Sequence, residues 1–92
     1  MIVRWTPTAL RDLGSLHSYI ANDNLTAAAA TVEKILRGID ALEHQPDIGR
    51  LGRVAGTREL IVAPYVVAYR ARKGVIEVLA VIHGARRWLE SL

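Results

Sequence analysis

Side chains that can bind phosphate or transfer protons are concentrated in the second half of this 92-residue chain. Cleavage of RNA through its own 2′-hydroxyl requires a base, an acid and cations that stabilise the charged phosphorane. Here His83 or Glu59 would serve as the base, a tyrosine as the acid, and the arginines as a clamp on the phosphate. The residues concerned are Arg58, Glu59, Tyr65, Tyr69, Arg70, His83, Arg86 and Arg87.

Each of these residues also has a purely structural interpretation. Tyr65 and Tyr69 share one face of a predicted strand, where tyrosines commonly pack against a core. Glu59 has arginines close by in the sequence and would pair with one of them. His83 would be a hydrogen-bonded histidine at a strand end, and Trp88 would cover the core. The residue types alone leave both interpretations open.

Other kinds of chemistry find little support in the sequence. The chain contains no cysteine, which excludes disulfides and thiolate metal sites. Its histidines, His17, His44 and His83, fall in different predicted elements without the paired spacing typical of a metal site. It has neither a serine at a strand-to-helix elbow nor a glycine-rich phosphate loop. We therefore expect neither a metal ion nor a nucleotide cofactor.

The charge is distributed unevenly along the chain. Residues 1–49 hold four Lys/Arg and six Asp/Glu, a balance of −2, whereas residues 50–92 hold eight Lys/Arg and three Glu, a balance of +5. Because the planar guanidinium of arginine suits phosphates and carboxylates, we expect an anionic partner on the C-terminal half. The alternative is a solvated basic sheet edge that resists pairing with other edges.

Hydrophobic residues make up 51% of the chain, a high share for a domain of this size. We expect some of this apolar surface to remain exposed and to mark a protein interface. The candidate positions are the outer sides of a predicted helical hairpin and a bare sheet edge, which accepts a peptide strand by backbone pairing. The N-terminus has no apolar run long enough for a signal peptide or a membrane span, so we expect a cytoplasmic protein without membrane contact.

The first half of the chain predicts one strand followed by two helices. Ile2 to Trp5 form the strand, and Thr6-Pro7 supplies an N-cap with proline at the first helical position. The first helix is expected to end near Ala21 and the second near His44. Gly38, which is unfavourable inside a helix, indicates a close approach to another element. Helical spacing supports both helices, at Leu10, Leu13, Leu16 and Ile20 and at Val32, Ile35, Leu36, Ile39 and Leu42.

The second half predicts three antiparallel strands. The first runs from about Arg53 to Val62, and the others, Tyr65 to Arg72 and Val75 to His83, are joined by a turn at Lys73-Gly74. The last strand is apolar on both of its alternating sets, so we place it centrally in the sheet. One set is Val75, Leu79 and Val81, and the other is Ile76, Val78 and Ile82.

Together these elements predict a single α+β domain over residues 1–92, with an N-terminal helical hairpin on a mainly antiparallel sheet in the order β-α-α-β-β-β. Residues 85–92 are expected to form a short C-terminal helix or a tail. His83, Arg86 and Arg87 emerge where the last strand ends, and we expect Arg70 of the neighbouring strand to project near them. The predicted core is Leu13, Leu16, Ile20, Val32, Ile35, Ile39, Val78, Ala80 and Ile82.

The chain contains four recognisable segments, WTPTALRDL…YIA, PDIGRLGRVAGTREL, PYVVAYR and VIHGARRW. Together they resemble the RelE/ParE family of toxins from bacterial type II toxin–antitoxin modules, over nearly the whole chain. The resemblance implies the fold predicted above, a role in growth inhibition and plasmid stabilization, and a cognate antitoxin encoded beside this protein. In that family the tail of the antitoxin wraps the toxin and neutralises it until the antitoxin is degraded.

Two branches of this family differ in their target. RelE-like members cleave mRNA on the ribosome, whereas ParE-like members bind DNA gyrase and have no known catalytic residues. This chain has Tyr65-Val66 where an RNase-type member places its catalytic arginine, and its tail from Trp88 to Leu92 lacks tyrosine, lysine and histidine. Its HGARRW ending is similar to that of ParE-like proteins. The resemblance therefore favours gyrase poisoning over a ribosome-dependent mRNA endoribonuclease, with an unknown target or lost toxicity as remaining alternatives.

These alternatives assign the site residues differently. A gyrase poison would have no catalytic residues, whereas a nuclease acting on the ribosome and its mRNA would use His83, Arg70, Arg86 and Glu59. In both cases we expect one set of residues to contact the target or the antitoxin. That set is Arg58, Tyr65, Tyr69, Arg70, His83, Arg86, Arg87 and Trp88.

Overall fold

Residues 1–84, the part of the chain that the computed structural model describes, form two helices and a five-stranded sheet. Both helices pack on the same face of the sheet, which we call the helix side, and the opposite face is the far side. The short helix or tail predicted for residues 85–92 lies outside the described residues. In chain order the elements are β1 (Ile2–Trp5), α1 (Pro7–Ala21), α2 (Leu25–Leu42), β2 (Arg50–Leu51), β3 (Arg58–Val62), β4 (Tyr65–Arg72) and β5 (Val75–His83).

The sheet has the strand order β1-β5-β4-β3-β2. β1 is parallel to β5 and the other neighbours are antiparallel, so the predicted α+β fold with a mainly antiparallel sheet is confirmed. β5 lies between β1 and β4 over its first four residues, so the central place predicted for this strand is confirmed there. Beyond Val78, β5 no longer has β1 beside it, and α1 packs against this end of the strand.

The N-cap predicted at Thr6 is confirmed, and it also fastens α1 to the sheet. Thr6 Oγ1 accepts a hydrogen bond from Ala9 N at 3.2 Å. The same hydroxyl lies 3.0 Å and 3.2 Å from the carbonyl oxygens of Val78 and Leu79. Because Ala9 is fully buried, the first turn of α1 lies directly on the sheet.

α2 begins at the N-cap Asn24, whose Oδ1 accepts a backbone hydrogen bond from the first turn at 2.9 Å. It ends at Leu42, slightly before the predicted end. A Cβ added to Gly38 would lie 3.2 Å from the side chains of both Leu60 and Val62 in β3. The close approach predicted at Gly38 is therefore confirmed, and its neighbour is the sheet.

A register shift in the β4–β5 hairpin changes which side chains of β5 face the helices. Tyr69 pairs with Val78, but the preceding residue of β4 pairs with Ala80, which leaves Leu79 without a partner of its own. As a result Val78 and Val81 both face the helix side and join the core there. The predicted alternation, which placed Val78 and Val81 on opposite faces, is wrong because it took no account of this bulge.

The main core lies between the helices and the helix side of the sheet. The two helices each meet the sheet along one stripe, and residues at the rim of a stripe keep contact with solvent. Leu10 and Leu36 are exposed for this reason, although both belong to the predicted stripes. Of the predicted core, Leu16, Ile35, Ile39, Val78 and Ala80 are buried, and Leu13, Ile20, Val32 and Ile82 are only partly buried.

The strand predicted from Arg53 is wrong at its start. β3 begins at Arg58, and the residues before it form β2 and a tight loop. In this loop Gly52 N donates to Thr57 O at 2.8 Å, and Thr57 Oγ1 donates to Val54 O at 2.6 Å. Val54 packs on the far side of the sheet. A two-residue strand such as β2 is too short to produce an alternation signal in the sequence.

The two helix-interior glycines should respond differently to alanine. A Cβ at Gly14 in α1 meets open space, so Gly14→Ala should raise the free energy of unfolding by about 1 kcal/mol. At Gly38 two side chains of β3 lie 3.2 Å from the new Cβ, so Gly38→Ala should give a clearly smaller gain or a loss. Urea unfolding of the two variants measures the difference, and equal stabilisation would contradict close packing at Gly38.

Candidate functional site

Two of the predicted site residues, Tyr65 and His83, line a groove between α1 and one end of the β4–β5 hairpin. They pair across the two strands, and their rings meet edge to face, with centroids 5.5 Å apart and planes at 88°. The groove has a volume of about 590 Å³. Its lining consists of Asp12, Ser15, Leu16, Tyr19, Tyr65, Val81 and His83.

Asp12 ties α1 to the wall of this groove. Its Oδ2 accepts a hydrogen bond from Val81 N at 3.0 Å. Because β1 pairs with β5 only as far as Val78, the backbone of residues 79–83 has no strand neighbour on that side within the described part of the chain. The Asp12 carboxylate takes the place of a strand neighbour for one amide of this uncovered edge.

Tyr69 and Arg58 hold the loop that precedes β2. Tyr69 is fully buried, and its hydroxyl donates to Pro46 O at 2.6 Å and accepts from Gly49 N at 3.0 Å. The Arg58 guanidinium donates to Gly49 O at 2.8 Å and lies 3.8 Å from the Asp47 carboxylate. Burial raises the pKa of the Tyr69 phenol from its usual value. The packing interpretation of Tyr69 is confirmed.

Glu59 is buried, with 2% of its side chain exposed, and faces the far side of the sheet. Its Oε1 accepts hydrogen bonds from Arg50 Nε at 3.0 Å and Arg50 Nη2 at 2.8 Å. The two residues are register partners across β2 and β3. The predicted pairing of Glu59 with a nearby arginine is therefore confirmed.

Arg70 lies at the opposite end of the hairpin from His83, so the expectation that the two project near each other is wrong. Arg70 pairs with Glu77 next to the turn, whereas His83 pairs with Tyr65. The Glu77 carboxylate accepts hydrogen bonds from Arg70 at 2.7 Å and from Arg4 of β1 at 2.8 Å. These bonds, that from Arg70 foremost, lower the pKa of the Glu77 carboxyl from its usual value.

The predicted site residues therefore fall into separate places: the groove, the loop before β2, and two ion-pair clusters on the far side. Arg86, Arg87 and Trp88 lie outside the described residues. Across residues 1–84, no group of three His, Cys, Asp or Glu side chains is placed to hold a metal ion. Neither α1 nor α2 is long and apolar enough to cross a membrane.

Three residues that the sequence analysis did not single out, Asp12, Arg4 and Arg50, take part in these contacts. Arg4 and Asp12 reach partners 73 and 69 positions away, a distance over which a single sequence carries no pairing signal. Arg50 is different, because it and Glu59 flank the glycine-containing loop that joins their two strands. Opposite charges on either side of such a loop are a weak signal that could have found this pair.

The sequence matches known proteins over almost its whole length. A family model described as ParE toxin of the type II toxin–antitoxin system, parDE, matches residues 3–88. Y4kP of Sinorhizobium fredii is 42% identical over 92 residues, which cover 98% of this chain and 95% of that protein. Toxin RelE2 of Caulobacter vibrioides is 35% identical over 85 residues, which cover 91% of this chain and 96% of that protein.

Solved structures share the fold. A chain of the chromosomal ParDE toxin–antitoxin system from P. aeruginosa superposes with a TM-score of 0.80 at 24% identity, covering 91% of this chain and 96% of that one. A chain of the toxin–antitoxin complex RelBE2 from Mycobacterium tuberculosis superposes with a TM-score of 0.63 at 30% identity, covering 89% of this chain and 95% of that one. The first likeness establishes the fold, with two helices on a mixed sheet.

Removing the Tyr69 hydroxyl should destabilise the protein without changing its shape. Tyr69→Phe leaves the buried Gly49 amide and Pro46 carbonyl without this partner, which should lower the free energy of unfolding by about 1–3 kcal/mol. Tyr19→Phe is the control, because this tyrosine is 77% exposed and its substitution should cost less than about 0.5 kcal/mol. Chemical denaturation measures both, and equal stabilities would show that the Tyr69 hydroxyl does not hold the loop.

Proposed function

The chain belongs to the ParE toxin family of type II toxin–antitoxin systems, and we propose that it inhibits growth by binding and poisoning DNA gyrase. The family resemblance carried by the sequence motifs is confirmed by the match over residues 3–88. As a toxin of such a system it has a cognate antitoxin as partner, and the two solved structures described above come from toxin–antitoxin systems. The choice of gyrase over the ribosome rests on where the candidate catalytic residues lie.

The observation that carries this proposal is the separation of those candidate nuclease groups that lie within residues 1–84, namely His83, Arg70 and Glu59. His83 and Arg70 lie at opposite ends of the β4–β5 hairpin and on opposite faces of the sheet. Arg70 pairs with Glu77, and the stretch of β5 from Glu77 to His83 spans about 20 Å. In a nuclease the base and the cation that holds the phosphate must both reach one phosphodiester. Glu59, the other candidate base, is buried against Arg50.

The ion pairs on the far side support the same proposal. Arg50 and Arg70 each lie against a carboxylate, at 2.8 Å and 2.7 Å. These contacts hold both arginines on the far side of the sheet, away from His83, where they cannot stabilise a phosphorane formed beside that histidine. A poison that acts by binding requires no proton transfer, only a surface that fits its target.

We assign protein binding to the groove between α1 and the hairpin. Leu16 and Val81 give it an apolar floor, and the exposed side chains of Tyr19 and His83 give it an aromatic rim, a composition typical of interfaces. Beside it, residues 79–83 of β5 present an edge that β1 does not cover, and an extended peptide pairs with such an edge. The proposed occupant is the tail of the antitoxin.

The purified protein should inhibit DNA supercoiling by gyrase and leave ribosome-bound mRNA intact. Because poisoning needs no proton transfer, His83→Ala should retain most of the toxicity, and His83→Phe is the control that keeps an aromatic ring against Tyr65. A nuclease that uses His83 to move a proton would lose roughly 10²–10⁴-fold in cleavage rate in both variants. Supercoiling assays and primer extension on translated mRNA, run on the same preparations, separate the two mechanisms. Cleavage in the ribosomal A site that both substitutions abolish would replace the gyrase proposal with the ribosome-dependent nuclease.

Obstructing the groove should weaken neutralisation by the antitoxin. Ser15 lines the groove, whereas Ser18 lies on the same helix, is exposed and is outside the lining. Ser15→Arg places a bulky side chain with an unpaired charge in a partly apolar contact. It should therefore raise the Kd of the antitoxin roughly tenfold or more. Ser18→Arg is the control and should change the Kd little. Calorimetry with the product of the adjacent gene gives both values. Equal affinities would place the antitoxin elsewhere on the toxin.

A further inference from the structure

A small basic cavity lies at the turn end of the β4–β5 hairpin, on the far side of the sheet. It has a volume of about 170 Å³ and shares no lining residue with the groove. Four cationic side chains surround it and face a single carboxylate. The lining is Arg4 of β1, Arg70 and Arg72 of β4, Lys73 of the turn, and Val75 and Glu77 of β5.

Glu77 holds two of these arginines in place. Its two oxygens each accept one hydrogen bond, from Arg4 at 2.8 Å and from Arg70 at 2.7 Å. A guanidinium carries five N–H donors, so most donors of both arginines remain available. The Arg70 Nε is buried and has no hydrogen-bond partner among the described residues. A buried donor without a partner is costly, so an acceptor that reached this guanidinium would be favoured.

Arg72 at the end of β4 and Lys73 in the turn add two further cations, and Lys73 does so at a conformational cost. Lys73 has a φ of 53° and Gly74 a φ of 77°, the left-handed pair of a tight hairpin in which asparagine and glycine are favoured. Arg72 and Lys73 are exposed, and neither forms an ion pair within residues 1–84. A lysine in a left-handed conformation is a local conflict of the kind that clusters at functional sites.

The size and charge of the basic cavity fit one anionic group of a longer polymer. Its volume is below the roughly 300–1,000 Å³ typical of small-molecule sites, so a complete nucleotide is not the expected occupant. Arginine forks and lysines are common ligands of phosphate oxygens. Four cations clustered at one end of one sheet face form a basic patch, and such a patch is the electrostatic footprint of a protein that binds a nucleic-acid backbone.

We propose that the basic cavity binds a backbone phosphate of duplex DNA, and that it thereby positions the toxin on the DNA held by gyrase. The choice of duplex DNA rests on the proposed function, because gyrase acts on a DNA duplex. The groove, on the helix side, then remains available for a protein partner.

Fluorescence anisotropy with a short labelled DNA duplex at low salt tests this site in the full chain without gyrase. Arg72→Gln/Lys73→Asn removes two exposed cations, and asparagine suits the left-handed turn, so the fold should be retained. Lys34→Gln/Arg37→Gln removes the same net charge from exposed positions of α2. The cavity variant should raise the Kd for the duplex roughly three- to tenfold and reduce the slope of log K against log salt by about 0.9 per lost phosphate contact. The α2 variant should change neither quantity.

Equal weakening in the two variants would overturn the proposal, because it would reduce the effect to net charge. Preference for an RNA hairpin of the same length, or equal competition by poly-glutamate, would overturn the assignment to duplex DNA. Supercoiling inhibition is measured separately, so the two proposals fail separately. If the toxin inhibits gyrase and the cavity variant binds DNA as the wild type does, the proposal for the cavity is wrong. If the variant loses DNA binding but the wild type does not inhibit gyrase, the phosphate site remains and the proposed target is wrong.

Discussion

The register shift at Leu79 is the constraint on which the helix side of this protein depends. In a regular hairpin Val81 would face the far side, and α1 would lose an apolar contact at this end of β5. With the shift, Val81 joins the core, and Tyr65 meets His83 across the strands. Asp12 binds the Val81 amide at the edge that β1 leaves uncovered, so α1 both requires the shifted backbone and stabilises it. The groove is a direct consequence of one unpaired strand residue.

The two carboxylates on the far side have different roles in stability. Glu59 is 2% exposed, and removal of Arg50 would take two hydrogen bonds away from a buried carboxylate, which is destabilising. Glu77 is partly exposed and bridges two arginines that also contact solvent, so its ion pairs contribute little to folding. The fold therefore needs the first pair, whereas the second can rearrange when an anion binds. This difference separates the structural cations of the far side from those available to a ligand.

Local signals predicted most of the fold, and long-range geometry decided the rest. The Thr6-Pro7 cap and the apolar helical spacing predicted both helices, because hydrogen bonds within four residues produce these patterns. The turn at Lys73-Gly74 carried more information than the sequence analysis drew from it, since counting outward from it places Arg70 opposite Glu77 and away from His83. The bulge left no such signal, because apolar residues occupy both alternating sets of β5. Nor did the bonds of Tyr69, whose partners are backbone groups of a loop without a pattern.

The groove and the basic cavity lie on opposite faces of the sheet and at opposite ends of one hairpin. β4 and β5, which separate them, are paired on both sides of Leu79 and largely buried, so a change at one site would have to pass through a packed hairpin to reach the other. Under the proposed assignments, an antitoxin confined to the groove neutralises the toxin by excluding its protein target and leaves the phosphate site open. Tyr65 and Asp12 already hold the groove in shape, so the toxin has little to reorganise on binding. Under the same assignments the ordering cost falls on the antitoxin tail.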